Sequence, residues 1–393
     1  MSQVTRRAVS IAALVLCVAV PLRLSAQEVR PAGWEWGFRG IALMNGFYND
    51  NEVNTSDLPA FAAPALPPGS QPQRSLGAAI RQTRVVATGD LAGFTGGALH
   101  TELDVDFFGV GLAAGGRSGP ALRVRRLVGE VRWDRLTLLV GQEGPLVADV
   151  NPVSLATLGV PGYAAAGNLW LWIPQVRVGL DLNSGDAMRL GVDVAAMAST
   201  TPEGLATGLA APNSGERSGR PMLEGRLRAR WPDGAEIGIG GHAGWLATTG
   251  DSLLTTDAIV VSGIVHLGRS LELRGEWFTG KGLAPLGGGG IGQNLASDGT
   301  PLKTTGGWAQ LNLKASSRWE MGVGFGYDDP DGTATDEANA AFRDKNTQYG
   351  ARLQWRLAPA VVAFEYRHFA TEYGGPVGER TASHLNLAMG VEF

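Results

Sequence analysis

Stretches of about ten residues in which apolar and polar side chains alternate recur along this chain of 393 residues. The alternation is clearest near the C-terminus, at residues 319–327, 347–356 and 383–393. A period of two predicts β-strands with one apolar face and one polar face. No window shows a sustained helical period, and beyond residue 26 no apolar run approaches the roughly 18 residues of a membrane-spanning helix.

Sixteen strands are predicted by this criterion, at residues 34–48, 80–89, 98–108, 121–133, 136–142, 170–182, 187–198, 221–231, 235–247, 258–267, 271–279, 303–314, 319–327, 346–357, 361–371 and 380–393. Their connections alternate between short turns and long segments rich in glycine, proline and aspartate. Outer-membrane barrels show this asymmetry, with short periplasmic turns and long extracellular loops. We therefore predict an all-β fold, a transmembrane antiparallel β-barrel of about 16 strands, with both termini in the periplasm. A soluble β-sandwich also alternates, but its strands are shorter and fewer.

The eleven tryptophans all fall near the ends of predicted strands. Those at the short-turn ends are Trp34, Trp36, Trp133, Trp231, Trp319 and Trp355, and those near the long-loop ends are Trp170, Trp172, Trp245, Trp277 and Trp308. Amphipathic rings favour the headgroup level of a membrane. We therefore predict two aromatic belts, with Trp308 as the expected exception because it stands on the polar face. Trp170 and Trp172 are candidates for contact between subunits.

The first 26 residues have the features of a cleaved export signal. Arg6 and Arg7 form a positive start, residues 8–22 form a short apolar run, and residues 24–26 resemble a cleavage site. We predict that residues 1–26 are removed and that residues 27–393 form a single barrel domain. The only cysteine, Cys17, lies within this signal, so the mature chain is predicted to contain no disulfide and no thiolate site.

Charge and motifs exclude several classes of protein. The chain has 33 basic and 37 acidic residues and no basic stripe, which argues against a nucleic-acid partner. The five histidines form no metal-ligand motif, and no glycine-rich segment precedes a predicted helix. We therefore predict no enzyme activity, no metal and no cofactor. Removal of the three arginines within residues 1–26 takes the formal net charge from −4 to −7.

The polar faces of the predicted strands carry the candidate functional residues. The arginines on these faces include Arg84, Arg177, Arg226, Arg228, Arg230 and Arg352, and Arg123 and Arg125 join them if a β-bulge near Arg126 resets the alternation. The acids on the same faces include Glu102 and Asp104. Guanidinium groups in a narrow channel attract carboxylates and bind them at two points, and channels use charged rings for selectivity. We expect the cluster at residues 226–230 to contribute most; the alternative is that arginines and acids only neutralise one another.

The third long loop, residues 143–169, is a candidate constriction. Loops of this position fold inward in sixteen-stranded porins and narrow the pore. Its prolines and apolar side chains suit a segment packed against a wall, and Glu143, Asp149 and Asn151 are its polar candidates for the pore lining. The alternative is an ordinary external loop.

Short motifs between residues 81 and 181 fall in an order that resembles a known family. They are RQTR at 81–84, ELDVDFFG at 102–109, LRVR at 122–125, GE at 129–130, GQ at 141–142 and PQVR at 174–177. This order resembles the DcaP-like family of trimeric outer-membrane porins, which take up small anionic substrates such as dicarboxylates. The resemblance implies a porin barrel, anionic solutes and a homotrimer. The chain lacks the family's aromatic-serine segment after the Gly-Gln pair and its N-terminal helical extension.

We predict an outer-membrane porin of a Gram-negative-type bacterium, through which small hydrophilic, anionic (carboxylate) solutes diffuse passively along an arginine-lined lumen. The expected partners are outer-membrane lipid and lipopolysaccharide, the small anionic solutes, and further copies of the chain in a homotrimer. The barrel assembly machinery would read the terminal Phe393 as its signal. Two alternatives stay open: a structural or adhesive barrel without a significant open pore, and a substrate-specific channel with a true binding site.

Overall fold

The computed structural model describes residues 33–64, 74–109, 120–185, 187–200, 212–248 and 252–393. The barrel unit runs from Trp34 to Phe393, and the predicted export signal at residues 1–26 lies outside the described residues. Strands dominate this unit, and the helices α1 (Ser214–Arg217) and α2 (Ala334–Glu337) are single turns. None of the helices within the described ranges is long and apolar enough to cross a membrane.

Seventeen strand segments of the described chain form one sheet. They are β1 (Trp34–Asn49), β2 (Ser75–Ala79), β3 (Arg84–Phe94), β4 (Gly97–Gly109), β5 (Ala121–Arg132), β6 (Leu136–Glu143), β7 (Ile173–Asp181), β8 (Arg189–Met197), β9 (Met222–Arg230), β10 (Glu236–Ala247), β11 (Leu253–Leu267), β12 (Leu271–Lys281), β13 (Lys303–Lys314), β14 (Trp319–Asp331), β15 (Arg343–Leu357), β16 (Ala360–Tyr373) and β17 (Gly378–Glu392). From β3 to β17, each segment pairs antiparallel with the next along the chain.

The sheet closes on itself through β1. This strand pairs with β17 from Ile41 to Asn49, and it pairs with both β2 and β3. Because β2 and β3 follow one another along β1, they are two parts of a single barrel strand. The fold is therefore a closed antiparallel barrel of sixteen strands, which confirms the prediction, and closure leaves no strand edge open to lipid.

The second barrel strand is interrupted at residues 80–83, between β2 and β3. The Thr83 hydroxyl accepts a hydrogen bond from the Leu43 amide at 3.0 Å and donates one to the Leu43 carbonyl at 3.1 Å. A side chain thus takes the place of two backbone partners of β1. The break directs the neighbouring Gln82 side chain to the barrel interior, where it is 2% exposed.

Side-chain burial is inverted relative to a soluble protein. Leu103, Leu127 and Val140 are among many large apolar side chains that are exposed on the strands, whereas Glu102 and Asp104 on the opposite face are buried. An outer-membrane barrel has this distribution, because its outer surface meets hydrocarbon and its lumen is polar.

The short turns agree with the predicted set, with one difference. The turn predicted at residues 90–97 contains only residues 95–96, because β3 and β4 continue as a hairpin on both sides of it. At the closing seam, the Gly40 amide donates to the Phe393 carbonyl at 2.8 Å and the Phe393 amide donates to the Gly40 carbonyl at 3.0 Å.

The tryptophans depart from the two-belt prediction at the long-loop end. Trp36, Trp277 and Trp319 are exposed, as a belt requires. Trp308 is buried, as predicted from its position on the polar face of its strand. Trp170 and Trp172 instead line an internal cavity. The prediction that these two lie in a belt and contact another subunit is wrong, because β7 begins only after them and both belong to the preceding segment.

Candidate functional site

The segment between β6 and β7, residues 144–172, is hydrogen-bonded to polar side chains on the inner face of the barrel. Glu365 on β16 accepts bonds from the Leu155 and Ala156 amides at 2.7 and 3.0 Å, and from the Ser154 hydroxyl at 2.6 Å. This carboxylate is 4% exposed. Bonds to a charged acceptor are stronger than neutral ones, so β16 holds the middle of the segment firmly.

Two more buried carboxylates hold the ends of the segment. Glu224 on β9 accepts from the Leu146 and Val147 amides at 2.6 and 3.2 Å. Glu276 on β12 accepts from the Leu169 amide at 3.0 Å. The segment is therefore attached to several different strands of the wall.

Two glutamines clamp the backbone of the same segment with both ends of their amide groups. Gln310 on β13 accepts from the Val153 amide at 2.7 Å and donates to the Val153 carbonyl at 2.9 Å. Gln82 donates to the Ala156 carbonyl at 2.9 Å and accepts from the Gly159 amide at 3.0 Å. An amide that both donates and accepts satisfies two buried backbone groups at once.

Close backbone approach at the far end of the segment depends on glycine. Gly167 has a φ of +96°, and a Cβ there would overlap the backbone of Gly307 on β13. A Cβ at Gly326 on β14 would overlap the Ala166 carbonyl. These residues let the segment lie directly on the wall.

A cavity of about 430 Å³ remains between this segment and the wall formed by the second to sixth barrel strands. Its charged lining consists of Arg84, Arg125, Arg126, Arg177, Glu143 and Asp149. Pro145, Pro152, Pro161, Trp170 and Trp172 line its apolar part. Convergent charged groups within a partly apolar concave site are typical of a small-molecule pocket.

A β-bulge in β5 brings neighbouring arginines to this cavity. Arg126 pairs with Asp104 across the sheet, but Val124 pairs with Val105, so Arg125 is an extra residue in the ladder. A bulge re-aims side chains at such a point. The sequence places Arg123 and Arg125 on the inner face only if a β-bulge lies near Arg126. That bulge is present one residue earlier, at Arg125.

The arginines of this wall are paired with acids from β4. The Nε of Arg84 donates to Asp104 at 2.8 Å, and the Nε of Arg123 donates to Asp106 at 3.0 Å. Arg125 lies 3.3 Å from Asp106 and 3.6 Å from Asp104. The pairing expected as the alternative for single arginines is therefore present for Arg84, Arg123 and Arg125.

The two partners of these pairs differ in their exposure. The side chains of Arg84 and Arg123 are 30% and 23% exposed, while those of Asp104 and Asp106 are 0% exposed. Each carboxylate therefore lies behind its arginine. Within the cavity lining, a solute meets the Arg84 guanidinium before Asp104, while Glu143 and Asp149 face the cavity directly.

Arg126 is a lining residue that the sequence reasoning did not select. Its guanidinium binds both Glu143 and Glu102, with Nε at 2.9 Å from a Glu143 oxygen. Glu102 also accepts from Arg39 at 3.1 Å. Two consecutive arginines, Arg125 and Arg126, cannot both face inward on a regular strand, and this conflict is the signal that could have identified Arg126.

Five of the predicted arginines do not line the cavity, namely Arg123, Arg226, Arg228, Arg230 and Arg352. This corrects the expectation for the cluster at residues 226–230. Arg226 is 2% exposed and binds Asp149, which is 29% exposed. Arg228 is buried against Asp193 and Asp181, and Arg230 binds Glu236 near the short-turn end. Here the acids lie nearer the lumen than the guanidinium groups of Arg226 and Arg228, because small residues such as Gly238 and Gly191 leave room for those groups against the wall.

Arg352 on β15 follows the same pattern as Arg226. Its side chain is 3% exposed and lies 3.6 Å from Glu320, which is 33% exposed. It also donates to Asn312 at 3.1 Å and to Gln354 at 3.0 Å. The exposure of paired charges thus divides the barrel into an arginine-faced wall and an acid-faced wall.

Arg177 on β7 has no carboxylate within 4 Å in the described part of the chain. It donates to the Gly144 carbonyl and to Gln175 Oε1, each at 3.0 Å. Near it in the cavity, the Trp172 ring lies 4.4 Å from the Arg125 guanidinium carbon. An arginine stacked on an aromatic face is held in place while its edge remains free to donate.

The described residues contain no group of three or more acidic, histidine or cysteine side chains placed to hold a metal ion. The cavity lining offers fixed charges, hydrogen-bond donors and aromatic faces.

Neither a protein-family model nor a curated protein sequence matches the chain significantly. Solved structures do match it. The outer membrane channel DcaP of Acinetobacter baumannii has a TM-score of 0.73 at 15% sequence identity, over 92% of this chain and 98% of that chain. The chain has the fold of the DcaP channel. The resemblance seen in the sequence motifs is confirmed at this level.

Two further solved structures share the barrel fold. The anion-selective porin from Comamonas acidovorans has a TM-score of 0.59 at 13% identity, over 92% of this chain and all (100%) of that one. OmpT, an outer membrane protein of Vibrio cholerae solved in a trimer form, has a TM-score of 0.54 at 12% identity, over 92% of this chain and 100% of that one. The architecture is therefore that of porin-type barrels.

Proposed function

We propose that the chain is an outer-membrane porin for small hydrophilic solutes, with a preference for anions that carry carboxylate groups. The observation that carries this proposal is the difference in exposure between two arginines that line the cavity, Arg84 and Arg126, and the acids Asp104 and Glu102 behind them. It gives the cavity a surface of cationic hydrogen-bond donors although the mature chain is predicted to have a negative net charge.

The guanidinium group makes this surface effective for carboxylates. It has five N–H donors in a rigid fork, and its buried acid partner occupies only some of them. The remaining donors face the cavity and fit the two oxygens of a carboxylate. Fixed charges act over a Debye length of roughly 8 Å at physiological salt, so acids on the distant long loops have little influence here. Asp149 and Glu143 oppose the arginines, and the preference is therefore mild.

The segment at residues 143–169 serves in this proposal as the constriction of the pore. Its support is the set of bonds from Glu224, Glu365, Gln82 and Gln310, which join it to different parts of the inner wall. A segment attached at so many points restricts the passage to the space beside it. Solutes would then pass along the arginine-faced wall.

We also propose that the chain is exported by a signal at residues 1–26, inserted into the outer membrane of a Gram-negative-type bacterium through its terminal Phe393, and assembled as a homotrimer among lipid and lipopolysaccharide. The neighbours named as outer membrane proteins, one of them in a trimer form, support this location and assembly. Trp170 and Trp172 take no part in subunit contacts, since they line the cavity. Native mass spectrometry in detergent tests the trimer, and a species of monomer mass alone would contradict it.

Swelling of liposomes that contain the purified protein tests the function. We expect swelling with small neutral sugars, and faster swelling with the salt of a small carboxylic acid than with that of an amine of similar size. A barrel without a significant open pore would give no swelling with either solute. Equal or reversed rates for the acid and the amine would contradict the anion preference alone.

A further inference from the structure

A second cavity lies at the short-turn end of the barrel, with a volume of about 260 Å³. Pro152 lines the first cavity and Val153 lines this one. The segment between β6 and β7, residues 144–172 and here called the inward segment, therefore lies between the two cavities. The start of β12, the end of β13 and the turn at residues 268–270 form most of the lining. Its position places it on the path of any solute that has passed the segment.

Cationic groups outnumber acids in this second cavity. Its charged lining consists of Arg269, Arg274, Lys314, Arg352, Glu272 and Glu320, and His266 also contributes. The ratio of cationic to acidic side chains is the same as in the first cavity. The two cavities thus repeat one electrostatic character on opposite sides of the inward segment.

Both acids of the second cavity are already bound to arginine. Glu272 accepts from the Nε of Arg274 at 2.7 Å, and it also accepts from Asn312 at 3.2 Å. Glu320 lies 3.6 Å from Arg352. These two pairs neutralise one another within the wall.

Arg269 and Lys314 have no carboxylate within 4 Å among the residues that the structure describes. Lys314 is the cross-strand neighbour of Glu320, yet this acid lies within ion-pair distance of Arg352 instead. The Nε of Arg352 is buried and has no hydrogen-bond partner in the described chain. The cavity therefore has two uncompensated positive charges at its mouth.

We propose that this second cavity is a separate binding station for small carboxylates, occupied before or after passage of the inward segment. The inference rests on the proposed function. A single tight site would hold an anion and block the pore, whereas two weaker sites in series let it move from one to the other. Arg269 and Lys314 attract and hold the anion, while Arg274 and Arg352 neutralise the two acids of the lining.

Block of single-channel chloride current by succinate, added first to one side of a planar bilayer and then to the other, tests the station. Two stations separated by the inward segment give the wild type two different inhibition constants. The variant R269Q/K314Q should weaken the block from one side only, by roughly fivefold for each charge removed, as expected for unit charges about 4 Å apart in water. The variant R177Q, which alters the first cavity, should weaken the block mainly from the opposite side.

The control is R135Q, which removes one charge from a turn at the same end of the barrel but outside the cavity lining. The inhibition constant of succinate for this variant should stay within twofold of the wild-type value on both sides. An R269Q/K314Q variant that is blocked like the wild type from both sides, or weakened equally from both, overturns the second station. A wild type that conducts cations in preference to anions overturns the proposed function instead, so the two failures are distinguishable.

Discussion

Replacement of Glu365 by alanine should release the middle of the inward segment without unfolding the barrel. The change removes the acceptor of the Leu155 and Ala156 amides and of the Ser154 hydroxyl. The Leu155 amide is left without an acceptor, which costs about 1–3 kcal/mol, whereas the Ala156 amide keeps the Ser154 hydroxyl oxygen as an acceptor at 3.0 Å. The hydroxyl adds less, because it can rotate toward another partner.

This cost acts locally because the other anchors remain. Glu224, Gln310 and Gln82 hold the segment on either side, so only the backbone near Leu155 should open while the strands stay paired. If the wall-bound form of the segment loses about 2 kcal/mol of stability, the population in which the backbone near Leu155 is open rises by roughly 30-fold. Hydrogen exchange of the Leu155 amide in the folded protein should accelerate by about this factor and that of the Ala156 amide by less, and single-channel current should become noisier.

Two control variants distinguish loss of the hydrogen-bond acceptor at residue 365 from loss of a negative charge elsewhere in the barrel. Glu365→Gln keeps one acceptor oxygen and should accelerate exchange less than Glu365→Ala. Glu379→Ala removes an exposed acid at the start of β17 and should leave exchange in the segment unchanged. If the two amides of Glu365→Ala exchange within threefold of the wild type, the carboxylate does not hold the segment, and the reasoning on its anchors fails.

Three further predictions concern selectivity, packing and pH. Arg177→Gln should reduce the ratio of anion to cation permeability, measured from reversal potentials, while thermal stability stays within about 1 kcal/mol because no carboxylate loses its partner; an unchanged ratio would contradict the role of the arginine-faced wall. Gly167→Val should displace the end of the inward segment, because a side chain at a φ of +96° is strained and would overlap the facing strand; unaltered conductance and noise would show that close approach there is not required. Burial alone would raise the pKa of Asp336, but hydrogen bonds from Thr333 and Ser297 outweigh it and hold the pKa below its ordinary value. The contact is therefore stabilised at pH values above about 4 and lost as the pH falls through the lowered pKa, so the Ser297 amide should exchange faster, relative to an exposed reference amide, in that acidic range and not near neutrality.

The barrel was predictable from the sequence because apolar and polar side chains alternate with a period of two along the strands. Short turns, long loops and the count of sixteen followed from it. The break at residues 80–83 was placed at the start of a strand, and β2 was missed, because Thr83 replaces backbone bonds with side-chain bonds and the pattern of polarity does not show this. The start of β7 was placed too early because Trp170 and Trp172 continue its apolar pattern although they face the cavity.

The candidate site was predictable only in part. Alternation places an arginine on the inner face, but it does not show whether the arginine or its acid partner lies nearer the lumen. For Arg84 the guanidinium is the more exposed partner, and for Arg226 it is the acid. That order depends on neighbours from other strands, such as the glycines beside Arg226 and Arg228, and on where the inward segment lies.

The reversal potential of the wild-type channel in a potassium chloride gradient tests the central claim most directly. Exposed guanidinium groups over buried carboxylates should make chloride more permeant than potassium, by a modest factor, in spite of the predicted net charge of −7 for residues 27–393. A reversal potential of the opposite sign would mean that the acid-faced wall near Asp149 and Glu320 governs the passage, and it would contradict the account.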